Sequence, residues 1–264
     1  MGFVFDQLGE GVFRRRYESL DLNVGVVVGD DGLAVIDTRS THREAQQLLD
    51  DLTTLSPKPV RWVINTHYHW DHVYGNAMFE DAEIWGHELC RAALLEVGEE
   101  MKASAKAWLP AELHEDIDDV QIVPPQKVFS DRVSLDIGRE VSMSYHGFGH
   151  TDSDIVVRVP DADVVFFGDL LEEGAPPNFG DSYPVAWPLT LRLAAEGLSG
   201  VAVPGHGDVV DDEYVSTQHS ELVRVAELAT SYVIGEQELE EAAAHGPYSV
   251  DVMKSALLRA AAVA

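Results

Sequence analysis

The chain has 264 residues, 45% hydrophobic and 24% charged, with no low-complexity tract, a composition that predicts a folded globular protein and excludes a disordered one. Forty-six acidic residues against eighteen basic ones give a formal charge of -28, a field that repels phosphate backbones and anionic lipid surfaces, so neither nucleic acid nor a membrane is an expected partner. Cys90 is the only cysteine, which excludes an intramolecular disulfide and a thiolate-rich metal cage.

Three β-rich runs open the chain, GVFRRRYES, LNVGVVVG and GLAVIDT, separated by turn residues such as Asp30, Asp31 and Gly32, and they predict a meander. Arg14, Arg15 and Arg16 in the first run are expected on a solvated strand or turn. Next, THREAQQLLDDLTTL carries Ala45, Leu48, Leu49, Leu52 and Leu55 at helical spacing and stops before Ser56-Pro57-Lys58-Pro59. VRWVIN resumes as a strand that leads into NTHYHWDHVYGN at 65–76, and AEIWG follows as a short strand. Residues 87–120 predict acidic helices broken at Pro110, with Cys90 on an apolar helix face.

Pro124-Pro125 marks a change of character, which divides a single domain into pseudo-repeat halves at about 1–122 and 123–264. Beyond it RVSLDIG, EVSMSYHG, DIVVRVP and DVVFFGD predict strands, PLTLRLAAEG a helix and GVAVPG a buried strand. One long helix is expected from Asp211 to about Ala244 and a last one over VDVMKSALLRAAA. Strands interleaved with helices in both halves imply an α/β fold of two sheets with helices packed outside. No stretch approaches the roughly 18 apolar residues of a membrane span and no secretory pattern opens the chain, so a cytoplasmic protein is expected.

The stretch at 65–76 crowds three histidines and an aspartate into six positions. In an extended segment residues two apart point the same way, so His67 and His69 can converge on one ion, and Asp71 and His72 follow at a turn. A short loop supplies such a half-site at little entropic cost, yet a metal centre needs further ligands from elsewhere. The candidates are His150, Asp169 and His206, each one residue after a glycine at the end of a predicted strand, where a tight turn aims a side chain into a cleft.

Taken together, THYHWDH at 66–72, GHTDSD at 149–154, GD at 168–169 and GH at 205–206 resemble the metal motifs of the metallo-β-lactamase superfamily, in the same order and across nearly the whole chain. The resemblance implies an αββα sandwich with the site in a cleft along the edge of the two sheets. It further implies that His67, His69 and His150 hold a first metal, Asp71, His72 and His206 a second, and that Asp169 bridges them. Two zinc ions are the expected cofactors, although the same ligands suit iron or manganese. Such a pair shares a hydroxide at neutral pH and polarises a carbonyl or phosphoryl oxygen, with Asp71 orienting the nucleophile or taking its proton.

Ligating histidines need a partner for the other ring nitrogen, and Asp37, Thr66 and Thr151 are candidates, with Asp154 beside them. Turn and cap chemistry accounts for Thr151 and Asp154 equally well. Within the superfamily, the cysteine of some β-lactamases has no counterpart here, since Cys90 lies far upstream of His150, and Asp169 separates the chain from the β-lactamases that lack a bridging aspartate. Glu172 stands where quorum-sensing lactonases carry a tyrosine. The ligand set is similar to that of glyoxalase II, without matching basic glutathione-binding residues in so acidic a chain.

The expected activity is therefore hydrolysis of a small ester, lactone, thioester or amide, with a small molecule as the partner. The alternatives are an iron-dependent oxidoreductase similar to persulfide dioxygenases and a non-catalytic metal-binding module. EEGAPPNFGDSYPVAWPLT, residues 172–190, is expected to cover the cleft and set specificity, with Trp70, Tyr183 and Trp187 as candidate pocket aromatics.

Overall fold

The computed structural model describes residues 5–264. The first half of the chain builds β1 (Asp6–Gly9), β2 (Val12–Tyr17), β3 (Leu22–Val28) and β4 (Leu33–Ile36) as antiparallel neighbours. Strands β5 (Val60–Ile64), β6 (Glu83–His87) and β7 (Lys127–Phe129) then add to β4 in parallel. The second half lays β8 (Arg132–Asp136), β9 (Glu140–Tyr145), β10 (Ile155–Val159) and β11 (Val164–Glu172) side by side antiparallel, with β12 (Val201–His206) parallel to β11. One register pair, His206 with Leu22, joins β12 to β3, so the two sheets meet at the strand end that carries His206. The sheet boundary expected near residue 122 falls between Phe129 and Arg132, because the chain after Pro124-Pro125 first returns beside β6 as β7.

The helices are α1 (His42–Leu55), the short α2 (Trp70–Val73), α3 (Glu88–Val97), α4 (Met101–Trp108), α5 (His114–Asp118), α6 (Trp187–Ala194), α7 (Asp212–Val233), α8 (Leu239–Ala244) and α9 (Val250–Ala262). Alternation along the strands sorts the core into layers. Val157, Phe166 and Val203 of the second sheet meet Val27, Ile36 and Ile64 of the first between the sheets. Their neighbours Val156, Val165 and Phe167 face outward onto Leu191, Leu222 and Leu257 of α6, α7 and α9. On the opposite side Val26, Val35 and Val63 cover Ala45, Leu48 and Leu52 of α1. The result is the αββα sandwich.

Local chemistry fixes the ends. Helix α1 starts where the Thr41 hydroxyl accepts from the Glu44 N–H at 3.1 Å, and the Glu44 carboxylate returns to the Ser40 N–H at 3.3 Å. The single helix expected from Asp211 to Ala244 is two: α7 ends at Val233, Gly235 takes a φ of 77°, and α8 starts at Leu239. A glycine in the left-handed region just past a helix end terminates it. Arg14 is not solvated as expected; it is 6% exposed and bonds Asp6 and the Gly207 carbonyl. Arg15 and Arg16 pair with Asp51 at 2.9 Å and Asp21 at 2.5 Å. Cys90 is fully buried, as its apolar helix face requires. Among the described residues no helix is long and apolar enough to cross a membrane.

Candidate metal centre

The carboxyl ends of parallel strands supply most of the site. The end of β5 delivers His67 and His69 in extended backbone, and α2 then turns Asp71 and His72 back toward them, where a plain turn was expected. His150 comes from the loop between β9 and β10, Asp169 from within β11 and His206 from the last residue of β12. Two flanking glycines explain the backbone. Gly168 has a φ of 53° and a Cβ there would lie 2.8 Å from the Thr66 Cβ, while a Cβ on Gly205 would lie 1.8 Å from Oδ1 of Asp169.

All seven predicted donors come together, in overlapping groups. One atom each of His67, His69, His150 and Asp169 lie within 4.8 Å of one another, as do those of Asp71, His72 and His206. Asp169 stands between the groups: its Oδ2 is 3.4 Å from Nε2 of His150 and 3.4 Å from Nε2 of His206, and its Oδ1 is 3.2 Å from Nε2 of His72. Asp71 Oδ2 is 3.3 Å from Nε2 of His206.

The outer nitrogens decide which lone pair each ring offers. His206 Nδ1 donates to the Leu20 carbonyl at 2.8 Å and His72 Nδ1 to Asp37 Oδ2 at 2.8 Å, so both turn Nε2 inward. The Thr66 hydroxyl donates to Asp37 Oδ2 at 2.8 Å, which leaves its oxygen to accept from His67 Nδ1 at 3.0 Å. One carboxylate thus orients a ring of each group, and its Oδ1 also accepts the Thr66 N–H at 2.8 Å. Asp37 holds a left-handed φ of 67°, a conformation aspartate tolerates better than most residues. His69 differs, with Nε2 on Asp181 Oδ2 at 2.9 Å and Nδ1 facing Nε2 of His150 at 2.8 Å.

The donor set suits a cation. Nε2 of His67 and Oδ1 of Asp169 are buried without a hydrogen-bond partner. Burial holds the His67 ring well below the usual 6.5 and brings His150 down to about 4, so both remain neutral imidazoles able to donate a lone pair. Nδ1 of His69 and Nε2 of His150 face each other at 2.8 Å, so without a cation one of the two carries the proton. Imidazoles with two carboxylates are a donor set for zinc, iron or manganese.

A cavity of about 640 Å³ opens over these groups and is bordered by Trp70, as expected. The other two expected aromatics stand elsewhere. Trp187 is fully buried in the outer core, its Nε1 donating to the Leu170 carbonyl at 3.2 Å, and Tyr183 packs on Phe148 with ring centres 4.5 Å apart. Both lie on residues 172–190, but neither lines the cleft. Thr151 bonds Asp154 at 2.7 Å, and among the described residues its side chain hydrogen-bonds no histidine ring; it closes the turn around His150. Asp154, pushed up to about 7 by burial, accepts the Thr151 N–H as well.

Sequence reasoning missed Asp181, whose only signal was an acidic residue in the segment already expected over the cleft. It also gave Glu172 no role. That carboxyl is buried at the end of β11, grouped with Asp169 and His206, and burial together with the Asp169 charge pushes it well above the carboxylate range.

Comparison with known proteins agrees with this geometry. The family described as the metallo-beta-lactamase superfamily matches residues 20–237. A metallo-beta-lactamase type 2 from Bacillus cereus is 26% identical over 200 residues, covering 74% of this chain and 70% of that protein. A linear primary-alkylsulfatase from Pseudomonas sp. (strain ATCC 19151) is 22% identical over 242 residues; the match covers 79% of this chain but 45% of that protein. Among solved structures, a metallo-beta-lactamase from Pontibacter korlensis superposes with a TM-score of 0.67 at 21% identity, covering 83% of this chain and 97% of that one. The mono-zinc form of the metallo-beta-lactamase FIM-1 from Pseudomonas aeruginosa does so with 0.67 at 18% identity, covering 84% and 95%. At these identities the structures show a shared fold.

Proposed function

Because the chain belongs to the metallo-beta-lactamase superfamily, we propose that it is a dinuclear metal-dependent hydrolase of a small ester, lactone, thioester or amide. The convergence of five inward ring nitrogens and two carboxylates beneath one cavity carries this reading. His67, His69 and His150 would hold one cation and Asp71, His72 and His206 a second, with Asp169 between the two groups of donors; zinc is the first candidate for both. When bound, such a pair supplies Lewis-acid polarisation of a carbonyl oxygen and a water acidic enough to attack at neutral pH.

The chain's own groups do the rest. Asp71, at the floor of the cavity and 9% exposed, offers a carboxylate oxygen that orients the attacking water and takes its proton. Asp37 and Thr66 keep His67 and His72 in the tautomer that faces inward, so no reorganisation is needed as charge develops. The cavity, of a size that holds a small molecule, has Asp71 and Asp169 in its lining, so a substrate bound there lies within reach of both carboxylates. The β-lactams after which several relatives are named are cyclic amides within this class.

Metal quantification followed by a panel of esters, lactones, thioesters and amides, β-lactams included, tests the reading. Two zinc ions per chain and turnover of at least one class are expected, with Asp71→Ala lowering that turnover by about 100-fold or more. One iron per chain with oxygen consumption and no hydrolysis overturns it.

A further inference from the structure

The wall of the cavity above the donors is of two kinds. Leu20, Trp70, Met101, Trp108 and Pro176 present apolar surface to it, and Trp108 leaves 68% of its surface exposed. A large aromatic held that far out of the core is available to a ligand. Glu172, Glu173 and Asp181 bring carboxyl groups into the same lining. None of the described residues that border the cavity is a lysine or arginine.

The acidic groups differ in how far they are neutralised. Asp21, also in the wall, is tied to Arg16 at 2.5 Å. Glu173 accepts only the backbone N–H of Asp208, at 2.7 Å, among the side-chain hydrogen bonds of the described residues. Asp181 is held by the Tyr68 hydroxyl at 2.6 Å and by the His69 ring, neither of which need carry a charge. Two divalent cations would bring four positive charges, and Asp71, Asp169, Glu173 and Asp181 match them within the same cleft. The entrance then has no surplus positive charge with which to draw in an anion, and the strongly acidic chain around it adds to the repulsion.

Resting on the hydrolase reading, we infer that the site discriminates by charge: it disfavours anionic substrates and takes an acyl compound that joins an apolar portion to a cationic, ammonium-type group. The apolar portion lies along Leu20, Trp70 and Met101. The ammonium group lies between the exposed face of Trp108, where a ring quadrupole attracts a cation, and the carboxylates of Glu173 and Asp181. A β-lactam bearing the usual carboxylate falls on the disfavoured side.

Three matched esters test this on the metal-loaded protein. They share one chromogenic leaving group and one acyl chain and differ only in the end group: trimethylammonium, its neutral tert-butyl isostere, or sulfonate. The cationic ester is expected to exceed the sulfonate in kcat/KM by at least about tenfold, mostly through KM, with the neutral ester between them. The spread narrows at high salt, because exposed charges are screened over roughly 8–10 Å at physiological ionic strength and over less in concentrated salt. Glu173→Gln narrows the spread, and Trp108→Ala weakens the cationic ester more than the sulfonate. A sulfonate ester as good as the cationic one overturns the inference, as does a spread that Glu173→Gln leaves unchanged.

Titration of the three end groups on unreactive alkyl chains, followed by calorimetry, separates this from the hydrolase reading. Preferential binding of the alkyltrimethylammonium without hydrolysis of any ester overturns the hydrolase reading alone. Hydrolysis without charge preference overturns the charge inference alone.

Discussion

The carboxylate of Asp181 lies 2.9 Å from Nε2 of His69, the one ring of the centre that turns Nδ1 inward. Arg259 of α9 donates to the carbonyls of Asp181 and Ser182 at 2.8 Å each, so the last helix of the chain holds the loop that carries this carboxylate. Asp181→Asn keeps an acceptor but removes the charge. Metal affinity is expected to fall roughly 10- to 100-fold, the usual effect of losing the group that orients a ligating histidine. Competition with a chromophoric chelator measures it, and an unchanged affinity would sink the assigned role.

Asp37 serves both groups of donors at once. Asp37→Ala leaves the Thr66 N–H, the Thr66 hydroxyl and Nδ1 of His72 without their buried acceptor, at a cost of about 1–3 kcal/mol for each unsatisfied group. Asp37→Asn tolerates the positive φ and keeps one acceptor, so its loss is expected to be smaller. Urea denaturation of the two variants beside metal content checks the order. Equal stability of all three proteins contradicts it.

Trp187 links the covering segment to the core beneath the site. It is fully buried, with ring centres 5.5 Å from Phe179 and 5.5 Å from His150. Trp187→Ala is expected to cost about 3–5 kcal/mol through the cavity it leaves. The denaturation midpoint reads this directly; a shift equivalent to less than about 1 kcal/mol would show that the segment is not anchored there.

His87 gives the fold a pH dependence away from the metal centre. It stacks on Tyr145 at 4.0 Å, its Nε2 donates to the Ser130 carbonyl, and its Nδ1 accepts the Leu89 N–H at the start of α3. Burial lowers its folded value below the usual 6.5, although the Ser130 carbonyl opposes this. The unfolded chain therefore binds the proton more readily. The contribution to stability is full above 6.5 and is lost as pH falls through 6.5 toward the lower folded value. His87→Gln, which can also accept and donate, is expected to flatten the dependence of the melting temperature on pH in that window. An unaltered slope counts against it.

The donors are legible in the sequence because they sit in short, constrained stretches. His67, His69, Asp71 and His72 share one strand end and its turn, and His150, Asp169 and His206 each follow a glycine. Strand periodicity and helical spacing likewise marked most elements, because burial on one or both faces repeats with the backbone's own period. Trp187 and Tyr183 were misplaced for the opposite reason. A segment without a period does not disclose which of its side chains point inward.

By itself the sequence determined the layered α/β architecture and the identity of the convergent donors, since both follow from local pattern and motif order. Only the tertiary structure decided which nitrogen each histidine offers, that Asp181 rather than Thr151 reaches a ring, and that the cleft is bordered by carboxylates and Trp108 with no lysine or arginine among its described residues. Those contacts join positions such as 69 with 181, and 20 with 206. Hydrogen-bond direction and charge environment are properties of neighbours in space, and chain order records them only where neighbours are also close in sequence.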